Sequence, residues 1–236
     1  MEAAAAALGL GPEELSAIRL SLLVASVGTL ATLPFAIAIA LALARGRFPG
    51  KTLLDGLVHL PLVMPPVVTG YLLLLAFGRR GPLGHALEAC CGLVFSFRWT
   101  GAALAAGIMG FPLMVRAIRL SLEAVDRRLE DAAATLGAGR LGVLFAVTLP
   151  LALPGLLAGL VLAFAKALGE FGATITFVSN IPGETRTLPA AIYTLTQTPG
   201  GDAAALKLVG VAIALSLAAL IASEMLARRI ATRIAG

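Results

Sequence analysis

The sequence predicts an all-α, polytopic transmembrane helical bundle of about five spans, and three observations predict it. Of the 236 residues, 59% are hydrophobic and only 13% charged, and the mean hydropathy of +0.96 is far from the balance of a water-soluble domain. The apolar residues fall in runs long enough to cross a bilayer. The charges sit in short clusters between those runs, where they act as topology signals. A soluble fold of this length buries one core and needs much more charged surface than these residues supply. The remaining apolar surface therefore has to meet lipid.

Span one is Leu20 to Ala44, which holds no charge and, at ~1.5 Å per helical residue, outruns a hydrocarbon core of ~30 Å. The eighteen residues before Arg19 carry Glu2, Glu13 and Glu14 and neither Lys nor Arg. A cleavable leader would start with positive charge, so this run is expected to stay in the mature chain. Span two, Gly56 to Gly78, has His59 as its one titratable group before Tyr71 and carries Pro61, Pro65 and Pro66. Each proline disturbs a helical hydrogen bond, so the span is expected to kink or start late. Span three, Trp99 to Val115, is rich in Gly and Ala, the small residues that let helices approach closely in lipid. Span four is expected to begin near Pro150, where proline suits a first turn, and to run to about Gly169. Span five, Leu208 to Ala227, has Glu224 near its end.

Between spans four and five, Phe171 to Val178 is apolar but too short to cross. Asn180, Pro182, Gly183, Pro199 and Gly200 mark turns around it. A re-entrant turn with a short helix at Leu188 to Leu195 fits this segment. With the N-terminus outside and the C-terminus in the cytoplasm, eleven of the eighteen Lys and Arg residues fall inside: Arg45, Arg47 and Lys51; Arg116, Arg119, Arg127, Arg128 and Arg140; and Arg228, Arg229 and Arg233. Arg79 and Arg80 stay outside. No internal repeat or second domain is evident, so residues 1–236 are expected to form one domain with a core of roughly 16–230.

The net charge of +5 and pI near 9.9 do not point to nucleic acid, because no basic stripe is interleaved with aromatics. Cys90 and Cys91 lack metal-ligand spacing and are expected to pack at a helix end. Gly46-Arg47-Phe48-Pro49-Gly50-Lys51-Thr52 is one residue short of a phosphate loop and contains a proline, so it reads as a turn and not a nucleotide site. No Ser/His/Asp set, HExxH or paired intramembrane carboxylates suggest an enzyme. A secondary transporter would be expected to show inverted repeats.

The loop from 121 to 149 carries the most information. Asp126 suits an N-cap, and Gly137 suits a left-handed stop. Leu129, Ala132, Ala133 and Leu136 share one face, with Arg127, Arg128 and Asp131 on the others. So short a helix is marginal alone and has to dock on something, whether its own bundle, the membrane surface or a partner. Asp131-Ala132-Ala133, then Gly137, then Val147-Thr148-Leu149-Pro150 resembles the EAA motif of ABC importer permeases, with Asp for the usual Glu and Val for the usual Ile. Phe48 to Leu74, Phe111 to Asp126 and Ala167 to Leu195 are similar to molybdate importer permeases, and the likeness spans nearly all of Arg19 to Arg229. Some members of that family carry an additional N-terminal span, which the short stretch before Arg19 is not expected to hold.

The resemblance implies the type I importer permease fold in the bacterial inner membrane. It implies a homodimer of permease chains, two ATP-binding subunits on the cytoplasmic side and an extracytoplasmic molybdate-binding protein. ATP and Mg would belong to the ATPase partner, with no cofactor in this chain. Glu130, Asp131, Ala132, Ala133, Gly137, Leu149 and Pro150 would couple to the ATPase. Sulfate, thiosulfate or tungstate is the alternative cargo, since nothing in the spans measures an oxyanion. Lys166 and Glu170, one turn apart near the outer end of span four, are expected to pair as a brace or gate. Thr69, Thr174, Thr176 and Ser179 are expected to offer small polar groups to the pathway.

Overall fold

A computed structural model describes residues 10–235, with side chains described for all of these except Ser223, Glu224 and 226–235. Glu2 and the side chains of Glu224, Arg228, Arg229 and Arg233 therefore lie outside the described residues. Eleven α-helices make up the described chain, with no strand among them. They are α1 (Pro12–Arg45), α2 (Lys51–Val63), α3 (Pro66–Phe77), α4 (Pro82–Cys91), α5 (Trp99–Ala124), α6 (Arg127–Thr135), α7 (Arg140–Val143), α8 (Leu149–Leu168), α9 (Gly172–Val178), α10 (Leu188–Thr196) and α11 (Asp202–Ala235), with a π-helical turn, Leu144–Thr148, joining α7 to α8. Four stretches are long and apolar enough to cross a membrane: α1, α5, α7 through α8, and the first part of α11. A fifth crossing follows if α2 and α3, bent by 113°, count as one.

The helices form because their apolar runs are rich in Ala and Leu, and they pack through their smallest residues. A Cβ added at Gly107 of α5 would lie 2.8 Å from the Gly28 carbonyl of α1, and one at Gly110 would lie 2.9 Å from the Ala163 carbonyl of α8. Backbone thus meets backbone along the α1–α5–α8 spine. Around it sit one cluster centred on Val24, Met109 and Phe177, a second on Leu43, Met114 and Ile118, and a third on Ile18, Leu188 and Leu208 where α10 and α11 meet the start of α1. Leu30, Phe35, Val63, Leu75 and Leu220 face outward, as lipid or a second chain requires.

Several boundaries differ from the sequence expectations, each for a physical reason. Helix α1 starts at Pro12, since Pro suits the first turn and Glu13 and Glu14 complement the dipole there. Span two takes the expected kink and does not start late: α2 begins at Lys51, and the break falls at Met64 and Pro65. Helix α5 continues past Val115 to Ala124, because Arg119 finds Asp55 at 3.1 Å and Glu123 at 2.8 Å. Helical structure behind span four runs back to Arg140 instead of starting near Pro150. The wider π turn leaves room for the Pro150 ring, which in an α-helix would strike the carbonyl four residues back. Helix α11 begins at Asp202, ahead of Leu208, with the acidic residue in its first turn. The expected short helix at Leu188 is present as α10, and Phe171 to Val178 forms the single short helix α9.

Candidate functional site

Two regions hold the residues singled out by the sequence. The first is α6, at the end of the bundle where α1 and α5 finish. Asp126 has extended backbone geometry and accepts a hydrogen bond from the Arg128 amide at 2.9 Å, the N-cap that its residue type favours. Gly137 stops the helix at φ +90°, a region costly for any residue with a Cβ. The nine residues of α6 have no buried member. Leu129, Asp131, Ala132 and Pro150 are exposed, Ala133 and Leu149 are half-buried, and Leu136 is 89% exposed. The apolar face is therefore open, and a leucine almost wholly in solvent needs a partner to justify it.

Glu130 points the other way. Its Oε1 accepts from Arg45 Nη2 at 2.9 Å and from Thr148 Oγ1 at 2.7 Å. Arg45 also donates to the Val125 carbonyl at 3.4 Å. The flanking cleft, about 490 Å³, is lined by Leu41, Arg45, Glu130, Arg140 and Leu144 among others. Sequence reading grouped Glu130 with the docking residues and treated Arg45 only as a topology charge. The partners stand 85 positions apart, so no local periodicity could join them. On α2, the half-buried His59 has Nδ1 2.9 Å from the Asp55 carbonyl oxygen and 3.3 Å from Asp55 Oδ1, beside the Asp55–Arg119–Glu123 ion pairs.

The second region is the junction of α3, α8 and α9. The Lys166–Glu170 pair is formed, with Nζ 2.7 Å from Oε2. Glu170 is only 2% exposed, and its other oxygen accepts from the Ala173 amide at 3.0 Å, capping α9. A Cβ on Gly70 would lie 2.5 Å from the Ala173 carbonyl, so α3 and α9 touch at backbone level. Thr69 is buried there, its hydroxyl without a partner. Thr174 donates to the Phe171 carbonyl at 2.9 Å and Thr176 to the Gly172 carbonyl at 2.8 Å. Ser179, at φ +67°, ends α9 and is exposed. The four hydroxyls therefore do not converge as equals: two are spent on their own helix, one is buried and unpaired, and one is at the surface.

Helix α4 carries Cys90 and Cys91. Both are exposed rather than packed, with sulfurs 3.0 Å apart. The neighbouring Cys90 thiol holds the Cys91 pKa above the usual thiol value. Among the described residues no group of His, Cys, Asp and Glu is placed to hold a metal.

The chain is 61% identical over 215 residues, 91% of its own length and 94% of the relative's, to the molybdenum transport system permease protein ModB of Escherichia coli (strain K12). It is 40% identical over 200 residues, 84% and 70% of the two lengths, to the sulfate transport system permease protein CysW of Synechococcus elongatus. Among solved structures, the fold matches a bacterial ABC transporter involved in import of the acidic polysaccharide alginate, with TM-score 0.74 and 18% identity over 95% of this chain and 82% of that one. It also matches a bacterial alginate ABC transporter in complex with alginate pentasaccharide-bound periplasmic protein, with TM-score 0.73 at the same identity and coverage. The family model described as the inner membrane component of binding-protein-dependent transport systems matches residues 32–232. The chain, with its bundle of apolar spans and its capped, outward-facing α6, belongs to that family of inner-membrane transport components.

Proposed function

We propose that this chain is the transmembrane permease subunit of an ATP-driven importer, and that its cargo is molybdate. The extent and level of likeness to the Escherichia coli molybdenum permease carries the cargo; the bundle alone does not. In this reading two copies form the translocation unit. Two ATP-binding subunits dock on the cytoplasmic side, and an extracytoplasmic binding protein delivers the oxyanion. Nucleotide and Mg belong to the ATPase partner, and hydrolysis is its work. The α6 end faces the cytoplasm, in keeping with the Arg45, Arg127, Arg128 and Arg140 cluster at that end.

Helix α6 is the coupling element. Its face of Leu129, Ala132 and Leu136, with Asp131 beside it and Ala133, Gly137, Leu149 and Pro150 around it, fits a cleft in the ATPase, and alanine lets the partner approach its backbone. ATP-driven closure of the ATPase pair draws the two α6 helices together and shifts the spans toward an outward-facing state, through the difference in ATPase affinity for the two states. Hydrolysis resets it. The pathway needs no tight oxyanion site, since one would slow release. Thr69, Thr174, Thr176 and Ser179 supply weak polar contacts, and Lys166 with Glu170 braces the gate.

The test is ATP-dependent uptake of labelled molybdate into vesicles holding this chain, its ATPase and its binding protein. Tungstate is expected to compete and sulfate is not. Competition mainly by sulfate would move the cargo to the sulfate class, that of the Synechococcus elongatus relative.

A further inference from the structure

One carboxylate oxygen joins four parts of the bundle. Glu130 Oε1 receives Arg45 Nη2 at 2.9 Å from the last turn of α1 and Thr148 Oγ1 at 2.7 Å from the π turn, while Arg45 reaches the Val125 carbonyl at the end of α5. Thr148 is 4% exposed, and the Glu130 side chain is 19% exposed. Both links are charge-assisted and shielded from bulk water, which makes them stronger than a surface pair. The rest of α6 has no buried residue, so a pull on this helix finds its firmest hold at Glu130.

The π turn gives the second half of the link a place where the helical register can change. The Leu149 amide bonds to the Leu144 carbonyl, five residues back. Removing the extra residue from the ladder would rotate Thr148 by about 100° around the helix axis. That rotation takes its hydroxyl away from Glu130, so the hydrogen bond and the π turn stand or fall together.

We propose that Glu130 is the positioning residue that carries the displacement of α6 into α1 through Arg45 and into α8 through Thr148, with the π turn as the hinge. The inference rests on α6 being the coupling element. It adds that the load passes inward through Glu130 and not through the outward docking face.

The experiment uses the reconstituted importer in vesicles and reads co-purification of the ATPase, ATP hydrolysis, and molybdate taken up per ATP hydrolysed. Glu130→Gln keeps an acceptor but discards the charge. It is expected to assemble and to lower uptake about tenfold more than hydrolysis, within the usual size of coupling between sites. Thr148→Val is expected to behave likewise, Thr148→Ser to restore the uptake ratio, and the Glu130→Gln/Thr148→Val double variant to be no worse than Glu130→Gln alone. Unchanged uptake per ATP in both single variants, or additive losses in the double variant, would overturn the proposal. If Glu130→Gln does not assemble, Thr148→Val against Thr148→Ser decides it by the same ratio. A wild-type complex without nucleotide-driven uptake would instead overturn the function on which the proposal rests.

Discussion

Replacing Lys166 with Met leaves the Glu170 carboxylate 2% exposed with only the Ala173 amide to satisfy it. Breaking a fully buried ion pair costs about 3–5 kcal/mol, and an exposed one about 1 kcal/mol or less. Here one partner is buried and the other 32% exposed, so the cost falls between, at about 2–3 kcal/mol. For a chain of this size that lowers Tm by about 5–10 °C. Glu170→Gln on its own keeps an oxygen for the Ala173 amide but leaves the ammonium, which can reach toward solvent, and is expected to cost less. The Lys166→Met/Glu170→Gln double variant removes both charges and should recover at least half of the loss. Thermal melting of detergent-purified single and double variants gives the cycle. A Lys166→Met loss under about 1 kcal/mol, or a double variant no better than Lys166→Met, would refute the buried-pair account.

Three further outcomes follow from other sites. Asp126→Ala removes the one side-chain cap of α6 and should cost that nine-residue helix about 1 kcal/mol, lowering ATPase co-purification, with Asp126→Asn restoring it. Gly70→Ala forces a Cβ to within 2.5 Å of the Ala173 carbonyl and is expected to destabilise the α3–α9 contact by about 1–3 kcal/mol, read as a lower Tm; an unchanged Tm would show that the helices separate freely. Cys90 and Cys91, exposed on α4, should be labelled in intact cells by a membrane-impermeant maleimide, and Cys91 should react fully only above the usual thiol range; protection in intact cells with labelling after lysis would reverse the orientation.

The elements that the sequence made legible are those fixed by local chemistry. The Asp126 cap and the Gly137 stop bound α6 because each acts within a few residues of itself. The kink of span two was carried by Pro65 and Pro66, and α10 by its turn-flanked apolar run. What was not legible depends on distant partners. The extension of α5 beyond Arg116 relies on Asp55 to hold Arg119, so charged residues continue a span that hydropathy would end. Helix α4 is short and broken by His85 and Glu88, and no pattern marked it. The π turn lies within an unbroken apolar run, and the inward role of Glu130 needs Arg45 from the far end of α1. In the pathway region, residue type alone placed Thr69, Thr174, Thr176 and Ser179 together, whereas two of their hydroxyls bond to their own helix, one is buried without a partner and one is at the surface.

The most direct test of the account is cross-linking from Leu136, the residue left 89% exposed on the α6 face. Leu136→Cys, in a chain whose Cys90 and Cys91 are replaced by Ser, would carry a short photoactivatable thiol reagent in inverted vesicles holding the full importer. The account predicts a cross-link to the ATP-binding subunit whose yield changes when ATP is added. A cross-link to lipid or to the permease itself, with the ATP-binding subunit present and unmodified, would contradict it.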